Sequence, residues 1–425
     1  MGGEGTHRYG HGPVQGREDN QVATRGHEAT LADVWVRVCY RQVMTAAPRL
    51  ALQYVLLFGA TGVSLPFAGL WLKSRGYDGA EIGLLLAAPM LARLVTGPAI
   101  AHWADRFRLR RTAIAFMGLI AALGYGGAAL ASDFWLTGLG WFVGATAASA
   151  LIPLIDVLNL RLARRGGFSF SVPRGCGSAA FVIANVTMGA LLLRLRPDIV
   201  VVWTIAASLL IALAAWLVLP PEPVKDPDIA PGAPPFGGVR TLLKTPEYLT
   251  AIAACGLVQA AHAFHYGFSA LIWKGQGISA ATTGQLWAFS VVIEIGFMWW
   301  LEPWRRRIGI DARTMLLIGA VGAVLRWAIM AGAPPLWMLW PLQALHALSF
   351  AATYLAGVQL VERLSPPGGQ TAGQTLNSVL SAGVLIGLAT LASGPLYDRF
   401  GAGGYMAMAV MALAGLLIGL KVKRV

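Results

Sequence analysis

The sequence predicts an all-α polytopic membrane protein, with twelve transmembrane helices in two six-helix halves. Three observations support this. Of the 425 residues, 56% are hydrophobic and only 12% are charged, against about 25% charged in a soluble domain. The apolar residues gather into twelve stretches, each of about the 20 residues that a helix needs to cross a bilayer. The basic residues gather in alternate connections between these stretches, which is the pattern that orients a membrane protein.

Residues 1–43 are polar, rich in Gly and His, and lack the apolar core of a signal peptide. They are expected to belong to a disordered cytoplasmic tail over 1–50. Met44 is an alternative start, with Met44-Thr45-Ala46-Ala47-Pro48-Arg49 as a short lead into the first span. The predicted spans are 51–72, 80–103, 112–131, 134–160, 174–193, 199–219, 248–272, 280–301, 313–332, 336–361, 371–394 and 402–421. Breakers punctuate the connections: Gly76 and Gly79 in the first, Pro197 in the fifth, and Gly277 in the seventh. Pro334-Pro335 break the ninth and Pro366-Pro367-Gly368-Gly369 the tenth. The longest internal connection, 220–247, begins Pro220-Pro221-Glu222-Pro223, too rich in Pro for a helix. It separates an N-terminal half, 51–219, from a C-terminal half, 248–425.

The net charge of +13 has its cause in these connections and not in nucleic-acid binding. With a cytoplasmic N-terminus, the cytoplasmic side holds Arg106, Arg108, Arg110, Arg111, Arg161, Arg164, Arg165, Lys225, Arg240, Lys244, Arg305, Arg306, Arg307 and Arg363. The C-terminal end adds Lys421, Lys423 and Arg424. The other side holds only Lys73, Arg75, Arg194, Arg196, Lys274 and Arg399. Both termini are therefore expected in the cytoplasm, with the basic loops meeting anionic lipid.

Four charged residues, Arg93, Asp156, Glu294 and Arg326, lie deep within the spans. A charge there costs roughly 2.5–3.5 kcal/mol on insertion scales, so these residues mark a polar interior. Glu294 can take up and release a proton. Arg326 cannot shed its charge. It needs Glu294, an anionic substrate, or both in competition. Arg93 and Asp156 carry opposite charges in one half and invite pairing, with Arg174 as another partner for Asp156. Structural or gating roles are assigned to Arg93 and Asp156, with substrate contact as the alternative. Gln259, His262 and Tyr266 follow i, i+3, i+7 spacing and share one helical face. That face is expected to meet the cavity or to hydrogen-bond across helices.

Cys39, Cys176 and Cys255 are far apart and match no disulfide framework or metal spacing. No paired-carboxylate cluster, His-rich metal set or phosphate loop supports an enzyme or a bound cofactor.

After the second span comes Asp105-Arg106-Phe107-Arg108-Leu109-Arg110-Arg111. It resembles the major facilitator loop motif G-x-x-x-D-R-x-G-x-R-R, with Ala101 and Arg108 in place of the two glycines. Asp105, Arg106, Arg110 and Arg111 match the motif's charged positions. Further stretches resemble the 3-phenylpropionate transporter-like branch, relatives of lactose permease. They include Glu81-Ile82-Gly83-Leu84-Leu85-Leu86, Leu91-Ala92-Arg93-Leu94-Val95 and Gln259-Ala260-Ala261-His262. Others are Leu325-Arg326-Trp327, Gln343-Ala344-Leu345-His346 and Gly394-Pro395-Leu396-Tyr397-Asp398-Arg399-Phe400-Gly401. The start of the fifth span departs from the branch pattern Tyr-Gly-Arg-x-Arg-x-Trp-Gly-Ser. Of that pattern, Phe170 to Ser178 keep only Arg174 and Gly177-Ser178.

The resemblance implies alternating access and proton-coupled symport of a small organic solute, best an aromatic carboxylate such as 3-phenylpropionate. Nucleoside or sugar symport and export of hydrophobic compounds are the alternatives. It implies Glu294 and His346 for proton coupling, and Arg326, Arg174, Gln259, His262, Tyr266 and Gln343 for substrate. The relative's Lys, His and Glu on the tenth span correspond to Gln343, His346 and Ser349, so only the His remains there. The expected setting is the cell inner membrane, as a monomer driven by the proton gradient, with substrate, protons and lipid as its partners.

Overall fold

A computed structural model describes residues 46–224, 239–366 and 369–423. The expected tail as far as residue 45 and the middle of the linker lie outside them. The tail's expected last residues, 46–50, are not disordered: they form the start of helix Ala46–Ser74, where Ala46 and Leu50 are buried in the apolar core. Nine helical stretches among the described residues are long and apolar enough to cross a membrane. Three features reconcile these with the twelve expected spans. Ser171–Leu191 is long enough but more polar, and the seventh pass is broken. The apolar stretch Ala372–Gly419 contains a chain reversal at Gly401–Gly404.

Passes 1 to 6 are Ala46–Ser74, Gly79–Ala104, Arg110–Leu130, Phe134–Gly166, Ser171–Leu191 and Asp198–Leu217. Pass 7 is Pro246–Ala260 followed by Ala263–Gly275, and pass 8 runs from Ala280 through a π-helical turn, Phe297–Leu301, to Arg307. Pass 9 is Ala312–Ala331. Pass 10 is Leu336–Ala344 and Thr353–Leu364 around a π-helical turn at Ala347–Ala352. Pass 11 is Gln370–Asn377, Ser378–Leu385 and Ile386–Phe400, and pass 12 is Tyr405–Gly419.

The predicted spans match these passes, with C-terminal extensions of passes 4, 8 and 11, the last to Phe400. Pass 4 continues past residue 160 to Gly166, so Arg164 and Arg165 form its last turn, and Gly167 ends it at φ 66°. Cations are stabilised at a helix C-terminus, and glycine takes the left-handed cap without strain. Pass 8 likewise continues to Arg307 because Glu302 holds Arg305 and Arg306 at 2.7 Å.

Within the first six passes, pass 1 packs on 5 and 6, and pass 3 packs on 4 and 6. Gly124 of pass 3 lies against the backbone of Gly140 and Gly144 in pass 4, the close approach that small residues allow in lipid. Within the last six, pass 12 packs on 7 and 9. Passes 2 and 11, 5 and 8, and 1 and 7 join the two sets.

At the basic end, the loop motif holds the start of the linker. Arg110 donates to the Val224 carbonyl at 2.9 Å and Arg111 to the Leu219 carbonyl at 3.1 Å. Arg165 pairs with the buried Glu222 at 2.8 Å. Asp105 is exposed and Arg106 contacts His102.

The opposite end is a seam between the two sets. Gly83 meets Gly394 so closely that a Cβ would lie 3.0 Å from the Gly394 backbone. Gly284 of pass 8 sits on the Asn185 carbonyl of pass 5. The Asp398 carboxylate accepts from the backbone N–H groups of Gly79 and Ala80, both at 2.8 Å. It therefore caps pass 2 from pass 11, beside that helix's own capping box of Asp78 and Glu81.

Candidate functional site

Arg326 on pass 9 is fully buried, 0% exposed. Its guanidinium donates to Gln343 Oε1 at 2.9 Å, Ser349 Oγ at 3.1 Å and His346 Nδ1 at 3.1 Å, and lies 4.3 Å from the Trp327 ring centroid. All three acceptors come from pass 10, where the π-helical turn follows His346 directly. Arginine has only donors, so His346 Nδ1 must accept. The ring proton is then on Nε2, which faces Glu294 Oε2 at 3.4 Å. Glu294 and Arg326 are thus joined through His346 and not directly. The Glu294 side chain is 18% exposed.

The same donor logic orients His262. Its Nδ1 faces the carbonyls of Val258 and Gln259 at 3.1 and 3.2 Å, so it donates there. Nε2 accepts from Ser349 Oγ at 3.1 Å. Ser349 therefore receives from Arg326 and gives to His262. Gln259 donates to Thr353 Oγ1 at 2.6 Å and to the Phe350 carbonyl at 2.9 Å. The break in pass 7 at Ala261–His262 allows this inward turn. Around the cluster, His265 stacks on Trp287 and bonds Tyr405, whose ring is parallel to Trp327.

In the first six passes, Asp156 Oδ1 accepts from Tyr54 Oη at 2.6 Å and from Arg174 at 2.8 Å. Asn159 bonds the same Tyr54 hydroxyl. Of the alternatives open in the sequence, Asp156 pairs with Arg174 and Arg93 does not pair with Asp156.

Arg93 instead lines a cavity of about 310 Å³ between the two sets of passes. Leu86, Pro89, Met90 and Arg93 face it from one side of pass 2, with Tyr125 and Trp141 from passes 3 and 4. Ala263, Tyr266 and Gly267 face it from pass 7, and Ala382, Ile386 and Thr390 from pass 11. Trp141 is fixed between Trp71, stacked at 5.7 Å, and Tyr125, edge-on at 5.3 Å. Tyr266 connects the cavity to the buried cluster, its ring lying 5.8 Å from that of His262.

Of the residues expected to contact substrate, the structure brings Tyr266 to the cavity. It places Arg326, Gln343, Gln259 and His262 in the hydrogen-bonded cluster behind it, and Arg174 in the ion pair with Asp156. Sequence reasoning did not single out Ser349, Thr353, Tyr125, Trp141 or Asp398 for such roles. Ser349 was visible only as the replacement of the relative's carboxylate, and Asp398 only within a quoted stretch.

A family model described as "MFS_1 like family" matches residues 48–407. The chain is 31% identical over 386 residues to the "Probable 3-phenylpropionic acid transporter" of Escherichia coli (strain K12), covering 89% of this chain and 99% of that one. It is 26% identical over 368 residues to the "Maltose permease" of Geobacillus stearothermophilus, covering 86% and 91%. Among solved structures, the nucleoside transporter NupG superposes with a TM-score of 0.73 at 17% identity, covering 89% of this chain and 98% of that one. A bacterial homologue of the human lysosomal transporter Spinster, titled as inward-facing and unoccupied, superposes at 0.73 with 16% identity, covering 90% and 97%.

Proposed function

Because the chain belongs to the MFS_1 like family of membrane transporters, we propose that it is a proton-coupled symporter of a small organic solute, working by alternating access. The best substrate is an aromatic carboxylate such as 3-phenylpropionate. The relative's name and the aromatic lining of the cavity support that choice. The proposed setting is the inner membrane, with the basic end and both termini in the cytoplasm, in keeping with the Lys/Arg bias. The proton gradient supplies the energy and no cofactor is required.

The observation that carries this reading is the line Glu294–His346–Arg326. A proton cannot be added to His346 Nδ1 without setting two donors, that N–H and the Arg326 N–H, against each other. The proton therefore goes to Glu294. Its uptake removes the anion that balances Arg326 through the imidazole, which gives the cluster two states of different charge.

The test is uptake of labelled 3-phenylpropionate into proteoliposomes under an imposed inward proton gradient. Accumulation is expected, and a protonophore should abolish it. In Glu294→Gln, accumulation is lost while substrate exchange continues. Accumulation that survives either the protonophore or the substitution would remove proton coupling at Glu294. A second reading, symport of an uncharged sugar or nucleoside, draws on the maltose permease and nucleoside transporter similarities. Uptake of maltose or uridine in place of the acid would favour it.

A further inference from the structure

We infer that Arg93 is the residue that binds the substrate's carboxylate, and that the substrate is a single-ring aromatic acid carrying one negative charge; this rests on the symport reading above. Three observations converge. First, Arg93 is the one charged side chain lining the cavity. Among the described residues it has no hydrogen bond, ion pair or aromatic face as a partner. The other charges deep in the passes are matched: Asp156 by Arg174, and Arg326 by Glu294 through His346. One positive charge is left over, and one carboxylate balances it.

Second, of the six hydroxyl groups around the cavity, those of Thr61, Ser149 and Thr390 are turned away from it, which leaves Ser64, Tyr125 and Tyr266 facing it. Thr61 donates to the Leu57 carbonyl at 2.9 Å, Ser149 to that of Thr146 at 2.8 Å and Thr390 to that of Ile386 at 2.8 Å. A sugar needs many partners for its hydroxyls, and these side chains have already spent their donors. A carboxylate needs a guanidinium, which is present and free. Third, the apolar surface is aromatic and rigid, because Trp141 is clamped between Trp71 and Tyr125. At about 310 Å³ the cavity lies at the lower limit of small-molecule pockets, about 300–1,000 Å³. One ring with a short acid arm suits that volume. Tyr266 lies on the far wall, so a ring between Trp141 and Tyr266 touches both sets of passes while its acid group stays on pass 2.

The experiment uses the full chain in proteoliposomes and measures exchange of labelled 3-phenylpropionate, which needs no proton gradient. The unlabelled competitors are 3-phenylpropionamide, 3-phenylpropanol and phenylsuccinate. In the wild type the neutral analogues and the dianion are expected to compete at least roughly 30-fold more weakly than the acid. In Arg93→Gln, affinity for the acid is expected to fall by roughly 30-fold or more, and its advantage over the amide should vanish. Competition by the amide stays at its wild-type level. Arg93→Lys restores part of the selectivity as a point charge.

Wild-type affinity and selectivity in a monodisperse Arg93→Gln protein would overturn the assignment. Equal loss of acid and amide binding would also overturn it, since it would show Arg93 to be merely structural. Glu294→Gln keeps acid selectivity in exchange, which separates this inference from proton coupling. If the wild type exchanges maltose or uridine and no aromatic acid, the substrate reading fails and takes this inference with it.

Discussion

Arg93 and Arg326 are equivalent on a hydropathy plot, yet the structure treats them in opposite ways. Arg326 is fully buried, held by three acceptors on pass 10 and set against Trp327. Arg93 is half-buried in a cavity and has no partner among the described residues. The first is held rigidly as part of a network. The second retains its full capacity to bind something that arrives. The difference shows that a charge inside a membrane protein is defined by how many of its donors are already used, more than by its depth.

The strongest way to break this contrast is through stability. Arg326→Met strips donors from His346, Gln343 and Ser349 and leaves Glu294 without a cation, a loss expected to cost about 3–5 kcal/mol. Arg93→Gln removes no hydrogen bond or ion pair among the described residues and should stay within about 0.5 kcal/mol of wild type. Thermal unfolding of the two variants in detergent compares them directly, and equal losses would erase the distinction.

A smaller effect is expected at the seam. Asp398→Asn weakens the cap on pass 2 by about 0.5–1 kcal/mol. In a background free of native cysteines, it should speed the labelling of a cysteine placed at Ser64, from that end, by about 2- to 5-fold. An unchanged rate would mean that the glycine crossings alone hold the seam.

The smallest effect is expected at an exposed pair. The Lys423 ammonium, 2.8 Å away, holds the Glu247 carboxyl below its ordinary range. A lowered folded-state value contributes stability at neutral pH that is lost as pH falls through it. Both groups are exposed and screened, so Lys423→Gln should leave the melting temperature unchanged at neutral pH and in mild acid. A measurable drop confined to neutral pH would show that even this surface pair matters.

Most passes were legible because they are long and apolar, and Gly or Pro marks several of their connections. The site was less so. Gln259, His262 and Tyr266 were read as one face of a continuous helix. The helix breaks between Ala260 and Ala263, so two of the three turn toward pass 10 and one meets the cavity. No Gly or Pro at 261–262 signals that break. The insertion of His346 between Glu294 and Arg326 depends on a π-helical turn in Ala347–Ala352, which leaves no mark in composition. The cavity joins Arg93, Tyr125, Trp141 and Tyr266 from four passes, and spacing along one helix cannot show that they meet.

The Asp398 cap also has a history written in the order of synthesis. Its two partners lie 319 and 318 residues upstream. At roughly 5–20 residues per second, the ribosome takes about 16–64 s to make the intervening chain. Throughout that interval the first turn of pass 2 must be satisfied by Asp78, Glu81 and water at the membrane surface. Until pass 11 arrives, the second set offers the cavity only the pass 7 residues Ala263, Tyr266 and Gly267, without Ala382, Ile386 and Thr390. The solute pocket is therefore completed almost at the end of translation, when the eleventh helix docks against the second.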